Sequence, residues 1–333
     1  MELNVDDISH YFMYFIHGLP MNYQSLETTL GNIVFFCING LAIIGKLDEV
    51  LSPQRKKEII DWIYTQQVQP PLMGGFRHSP AHYTPNHTVE EAHIVMTYSY
   101  LATLILLGDD LSRVDVPRVM EFLKAMQLPS GSFISHSMNS EDDLRFVYSA
   151  AAICRILGTN GDLDVEKSIE FILSCQTYEG GFSYQHGDES HGGATYCAIS
   201  ALDLWGALDR IKNKKLLAYW LSQRQIDGFN GRSHKLTDTC YSFWIGSPLR
   251  TLGWYEDIVD IKRLTAFIFS NYCGKGQFRS NARDNPDIVH TYFSLCGLSL
   301  ARYAGVEPIH SSLGIVAKYI PEKMLNLHEP SSK

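Results

Sequence analysis

Between Gly231 and Trp244 the chain reads Gly-Arg-Ser-His-Lys-Leu-Thr-Asp-Thr-Cys-Tyr-Ser-Phe-Trp. Asp238 and Cys240 place a carboxylate and a thiol two residues apart. About fifty residues on, His290 adds an imidazole at the matching point of the next repeat. These three donors suit a zinc ion with a fourth position left open for chemistry. Arg232 and Lys235, just upstream, suit a phosphate-bearing substrate. The bland alternative is a closed, structural zinc site, but that requires a fourth protein ligand, usually cysteine. None stands in matching register.

These residues must be positioned by a repeat. Apolar segments ending in glycine recur: Val34 to Gly45, Tyr98 to Gly108, Tyr148 to Gly158, Tyr196 to Gly206, Tyr241 to Gly253 and Tyr292 to Gly305. A second set alternates with them, at 59–67, 119–127, 168–176, 216–225 and 264–272. Its apolar residues fall at the helical period. Each second segment runs into a glycine turn that ends in an aromatic, at Phe76, Phe133, Phe182, Phe229 and Phe278. Glycine stops the helix there, and the ring can plug between neighbouring repeats.

The unit is helix, loop, helix and glycine turn, roughly fifty residues long and used about six times. An open solenoid needs polar caps at both ends, whereas six helix pairs can close on themselves. We expect an all-α chain folded as an α/α toroid, with the more apolar Tyr-to-Gly helices inside. No Pro/Ser-rich linker or charge block divides it, so one domain over residues 1–333 is expected.

The unusual polar residues collect at one point of the repeat. Asn32, His93, Arg145, His191, Asp238 with Cys240, and His290 all fall just before or at the start of inner helices. In a closed ring these positions converge on one mouth, where free helix N–H groups favour anions. Taken singly, His93 reads more readily as a helix cap than as a functional group, and His78, His82 and His87 as a solvated loop. The 16 Phe, 18 Tyr and 5 Trp are mostly core, but those facing a central hole, such as Tyr241 and Trp244, would line an apolar funnel. A metal, cations and a funnel together imply a substrate with a phosphate head and a hydrocarbon tail.

Bulk properties narrow the partners. A net charge of −8 argues against nucleic acid. Seven cysteines without framework spacing, five of them in apolar helix-like stretches, point to buried reduced thiols and a cytoplasmic setting. The acidic N-terminus lacks the basic region of a signal peptide. Residues 33–44, broken by Asn39 and Gly40, are too short to span a bilayer.

At these residues the chain resembles the β subunits of protein prenyltransferases, over essentially its full length. The resemblance rests on Gly231-Arg-x-x-Lys-x-x-Asp-x-Cys-Tyr-Ser-Phe-Trp244, Ser190-His-Gly-Gly193 and His290-Thr-Tyr-Phe293. It implies an α6–α6 barrel, a partner α subunit, one zinc per β subunit, and isoprenoid transfer to a cysteine of C-terminal CaaX peptides, as on small GTPases. By motif, Asp238, Cys240 and His290 would hold zinc. His191, Arg232, Lys235 and Tyr241 would hold the diphosphate and stabilise the leaving group. Trp244 would line the lipid pocket, and Arg145 matches an arginine near the peptide end.

Within the family the chain is most similar to the type I geranylgeranyltransferase class, which uses geranylgeranyl diphosphate and favours CaaL-type sequences. Asn32 falls where farnesyltransferases carry a bulky tryptophan that shortens the pocket, and Phe293 also fits the geranylgeranyl class. Ten residues before His290, where farnesyltransferases have an aspartate that supports magnesium and type I enzymes a lysine, this chain has Ser280 beside Arg279. The expectation is that Arg279 supplies the charge and that Mg2+ is not required.

Other readings remain at this level. A farnesyl or dual-specificity enzyme shares the same site residues, and a Rab-type β subunit shares the zinc set. A terpene cyclase shares the repeat but needs an Asp-x-Asp-Asp acid, against Glu141-Asp-Asp143 here. A non-catalytic toroid would bind a partner and no metal.

Overall fold

The computed structural model describes residues 3–77, 91–137 and 141–325. His78, His82 and His87 therefore lie outside the described residues. In chain order the helices are α1 (Val5–His17), α2 (Leu30–Ile43), α3 (Leu47–Val50), α4 (Pro53–Thr65), α5 (Ile94–Leu106) and α6 (Val116–Met126). Next come α7 (Leu144–Leu157), α8 (Val165–Ser174), α9 (Gly192–Leu204), α10 (Lys214–Ser222) and α11 (Tyr241–Trp244). The last are α12 (Gly246–Thr251), α13 (Tyr255–Ile258), α14 (Ile261–Ser270), α15 (Ile288–Leu300) and α16 (Glu322–Leu325). Among the described residues there is no strand, only isolated bridges.

The inner wall is made by α2, α5, α7, α9, the α11–α12 pair and α15, each packed on the next, with α15 returning to α2. That last contact closes the ring. The expected inner helix over 241–253 is broken in two. Pro248 has no N–H to give the carbonyl four residues back, so the helix interrupts between Trp244 and Gly246.

Each outer helix is capped and latched by sequence-local chemistry. Ser52, Asp115, Asp164, Asn213 and Asp260 are N-caps whose side chains accept a backbone N–H. Gln127, at the end of α6, donates to the Asp164 carbonyl at 2.9 Å and accepts its N–H at 3.0 Å. Gln225 holds Asp260 in the same way, at 2.9 Å in both directions. The helix ends are thereby stitched to the next repeat.

The glycine-turn aromatics act as the sequence suggests. Phe76, Phe133, Phe182, Phe229 and Phe278 are all fully buried, and each bridges back to the residue ending its outer segment. Burying each ring is worth about 1.5–3 kcal/mol. The N–H of Phe76, Phe182 and Phe278 also donates to Thr97, Thr195 and Thr291 in the first turn of the following inner helix. Outer helix, turn and inner helix are thus one unit.

The sequence pattern shows five outer segments, and the sixth place is taken by α1. A Cβ at Gly131 would lie 2.2 Å from the Lys167 carbonyl oxygen in the next outer helix, and one at Gly180 2.5 Å from that of Leu216. In the same way a Cβ at Gly276, in the last turn, would lie 2.3 Å from the Asp7 carbonyl of α1. The first helix of the chain is therefore the neighbour that the last repeat needs.

Residues Met21–Ile43 are long and apolar enough to cross a membrane by length and composition alone. In the fold this run is a 3-10 stretch followed by inner helix α2, which packs against α1, α5 and α15.

Candidate active site

All inner helices run the same way round the ring, so their N-termini share one mouth. His93, Asp143, His191 and Asp287 are the N-caps of α5, α7, α9 and α15, each accepting a backbone N–H from its first turn. His93 fits the cap reading, with Nδ1 accepting from Val95 at 3.2 Å.

The three expected metal ligands meet at this mouth. The donor atoms of Asp238, Cys240 and His290 all lie within 4.8 Å of one another, and His290 Nε2 is 3.5 Å from Asp238 Oδ1. The loop carrying Asp238 and Cys240 is pinned by Thr239, whose N–H and hydroxyl donate to the carbonyls of Ser280 and Arg279, each at 2.9 Å. One carboxylate, one thiol and one imidazole in such a cluster fit zinc. Burial and then Asp238 push the Cys240 thiol well above its ordinary value. Burial opposes a charge on His290, but Asp238 and Asp287 outweigh it and raise its pKa to about 10. A divalent cation binding here has to displace those protons.

Beside this cluster lies the expected diphosphate set. The Tyr241 hydroxyl is 3.1 Å from His191 Nε2, and the Gly193 N–H donates to His191 Nδ1 at 3.0 Å. Burial and then Arg232 lower the His191 pKa to about 4, so the ring is neutral at pH 7. With Nδ1 accepting, the proton sits on Nε2 and is donated to the Tyr241 oxygen. The phenol proton is then free to face an anion. Gly231 makes this possible: a Cβ there would lie 2.0 Å from Tyr241 Cζ, so only glycine lets the ring lie against that backbone.

Arg232 is paired with Glu189 at 3.0 Å, and Lys235 is exposed on the same loop. Arg145 is gripped by Asp143 and Glu141, at 2.5 and 2.8 Å from its Nη2. Asp142 accepts from Ser132 at 2.5 Å. The carboxylates of Glu141, Asp142 and Asp143 are thus each engaged in structural hydrogen bonds.

Below the mouth opens a cavity of about 460 Å³, mostly apolar, whose walls include Asn32, Arg145, Trp244 and Phe293. The rings of Trp244 and Phe293 meet at a tilt of 48°, with centroids 4.6 Å apart. Asn32 accepts from the Ser99 hydroxyl at 2.7 Å. Trp244 links the two regions, because it lines this cavity while its backbone N–H donates to the Cys240 carbonyl at 3.2 Å.

Two participants escaped the sequence reading. Asp287 Oδ2 lies 2.7 Å from His290 Nδ1 and orients that ring. Its spacing of three residues before His290, at a helix start, was the available signal. Glu189, two residues before His191, carried none.

A closed ring of six helix pairs with a carboxylate–thiol–imidazole cluster at one mouth defines a class, and the relatives agree. The family described as prenyltransferase alpha-alpha toroid domain matches residues 3–315, and the chain belongs to that family. It is 35% identical over 322 residues to the geranylgeranyl transferase type-1 subunit beta of Arabidopsis thaliana, covering 89% of this chain and 84% of that one. It is 34% identical to the subunit of the same name from Dictyostelium discoideum, covering 94% and 95%. The Candida albicans protein geranylgeranyltransferase-I, solved with GGPP, superposes with a TM-score of 0.90 at 25% identity, covering 99% of this chain and 100% of that one. Fold and relatives agree on an enzyme of protein prenyl transfer, on the side of the type I geranylgeranyltransferase β subunits.

Proposed function

We propose that the chain is the catalytic half of a type I protein geranylgeranyltransferase. It moves a geranylgeranyl group from geranylgeranyl diphosphate to the cysteine thiol of a C-terminal Cys-a-a-Leu sequence. The observation that carries this is the adjacency of three elements. The Asp238–Cys240–His290 cluster, the His191–Tyr241–Arg232 set and an apolar cavity of about 460 Å³ meet at one mouth.

Asp238, Cys240 and His290 would hold zinc, with Asp287 orienting His290. Zinc there would supply a Lewis acid that keeps the acceptor cysteine as a thiolate at neutral pH. In the transfer, a bond forms between the acceptor sulfur and C1 of the lipid, and the C1–O bond breaks with its electron pair going to the diphosphate. Arg232, Lys235 and Tyr241 meet that developing charge, with the Tyr241 phenol turned toward it by the His191 Nε2–H, a form of electrostatic stabilisation aimed where charge develops. Trp244, Phe293 and the other cavity walls hold the tail and exclude water, while Arg145 stands at the rim for the peptide.

Arg279 is our candidate for the remaining positive charge, without magnesium. Its carbonyl is bonded to Thr239, between two metal ligands, and its Nε is buried with no partner among the described residues. The α subunit is the expected partner. Tyr178, Tyr219 and Ile226 are exposed on neighbouring elements, as an interface would present them. A cytoplasmic setting is supported by seven cysteines, all free.

The test is a competition assay on the co-expressed heterodimer. Equal farnesyl and geranylgeranyl diphosphate are offered with Cys-a-a-Leu and Cys-a-a-Met peptides, and the products are read by mass. Geranylgeranylated Cys-a-a-Leu peptide is the expected main product, and mainly farnesylated product refutes the assignment.

A further inference from the structure

The end of the cavity opposite the Asp238–Cys240–His290 cluster is closed by an element that no repeat predicts. Residues 309–316 form a tight hairpin, with Ile309 bridging Val316 and the Gly314 N–H donating to the His310 carbonyl at 2.8 Å. Its tip is held from almost every side of the ring. Asn39 of α2 donates to the Gly314 carbonyl at 2.6 Å and accepts from Val316 N–H at 3.2 Å. Tyr98 of α5 donates to the Leu313 carbonyl at 2.5 Å. Ser247 of α12 donates to the Ser311 carbonyl at 2.6 Å, and the Ser312 hydroxyl donates to Asp203 of α9 at 2.5 Å. Asn39, Tyr98 and Ser247 are buried, so lifting the tip would strand polar groups away from water. The floor is fixed rather than adaptable.

Among the described residues, Gly314 is the one member of this hairpin that lines the cavity. Its φ is +65°, and a Cβ built there would stand 3.6 Å from Phe243 and 3.7 and 3.8 Å from the hydroxyls of Tyr98 and Tyr196. All three of those rings are cavity walls. A side chain at 314 therefore projects into the space that the far end of a bound tail would fill.

We propose that Gly314 is a specificity-determining residue that sets how long an apolar chain the cavity accepts. This rests on reading the cavity as the isoprenoid site. Asn32 acts on the wall, from the first turn of α2, whereas Gly314 acts on the floor, from a hairpin outside the helical repeat. Hydrogen bonds from the inner helices hold that hairpin at a set depth.

The test uses the heterodimer carrying Gly314→Asn, because asparagine tolerates the left-handed backbone. Farnesyl and geranylgeranyl diphosphate compete for one Cys-a-a-Leu peptide. The geranylgeranyl-to-farnesyl product ratio is expected to fall at least about tenfold while farnesyl transfer persists. A ratio within about twofold of the unmutated enzyme overturns the proposal. A second measurement does not depend on the variant folding. The unmutated heterodimer is photolysed with a geranylgeranyl diphosphate analogue bearing a diazirine on its last isoprene unit. Adducts on the peptide containing residues 309–316 support the proposal, and adducts confined to the walls around Asn32 and Met96 overturn it. An unmutated enzyme that uses neither lipid refutes the isoprenoid reading, and the floor proposal with it. Geranylgeranyl transfer that is indifferent to residue 314 refutes the floor proposal alone.

Discussion

Asp287 grips His290 twice. Its Oδ2 lies 2.7 Å from the ring Nδ1, and its Oδ1 accepts the His290 backbone N–H at 2.8 Å. One carboxylate therefore caps α15 and turns Nε2 toward Asp238 and Cys240. Asp287→Asn keeps an oxygen for the cap but loses the charge behind the ring. Zinc affinity, measured by competition with a chelator, should fall about 10–100-fold. Asp287→Ala should lose about 1 kcal/mol of stability besides, from the missing cap. Zinc affinity unchanged in both variants would refute the orienting role.

Glu189 holds Arg232 at 3.0 Å, with both side chains more than one-third exposed. Such a pair contributes about 0–1 kcal/mol to stability. Its effect should appear in binding instead, because a diphosphate must compete with Glu189 for the guanidinium. Glu189→Gln should leave the melting temperature nearly unchanged and tighten inhibition by inorganic pyrophosphate several-fold. Weaker inhibition would mean that Glu189 chiefly positions Arg232.

His191 should make stability fall on acidification. Burial, then Arg232, holds its pKa near 4 in the fold against 6.5 for the ordinary side chain. Between those values the unfolded chain takes up a proton that the folded chain refuses, so the contribution is present above pH 6.5 and is lost as pH falls. The loss amounts to at most about 2 kcal/mol at pH 5. His191→Asn keeps a cap for the Gly193 N–H but does not titrate. The melting temperature of this variant should drop less between pH 7 and pH 5 than that of the unmutated protein, and equal drops would contradict the assignment.

Asn32 stands on the cavity wall with its oxygen on Ser99 at 2.7 Å. Asn32→Trp should fill space near the first turn of α2 and move lipid choice toward farnesyl diphosphate, by about tenfold or more in relative kcat/KM. Product ratios in the competition assay measure this directly. An unchanged ratio would separate Asn32 from chain-length choice.

Much of the fold was legible because its cause is local and repeated. Apolar period, glycine stops and glycine-turn aromatics each recur, so the inner helices and five of the outer ones could be read off the chain. The convergence of Asp238, Cys240 and His290 was legible for the same reason, since they occupy matching points of successive repeats. Asp287 and Glu189 were not: Asp287 offered only its place at a helix start three residues before His290, and Glu189 nothing at all. The broken helix at Pro248 shows a local rule overriding the repeat: the missing N–H was visible, but the regular pattern concealed its effect.

By itself, the sequence determined that this chain is a ring of helix pairs whose polar starts share one mouth, because side-chain period and backbone freedom are encoded residue by residue. Only the tertiary structure decided how the ring ends. It placed α1 beside Gly276 to complete the outer wall, put residues 309–316 across the floor, and joined Tyr241 to His191. Those are contacts between segments 50 to nearly 300 residues apart in the chain. No local pattern specifies them, since they form only when neighbouring repeats pack and the ring closes, bringing donors and acceptors within reach of one another.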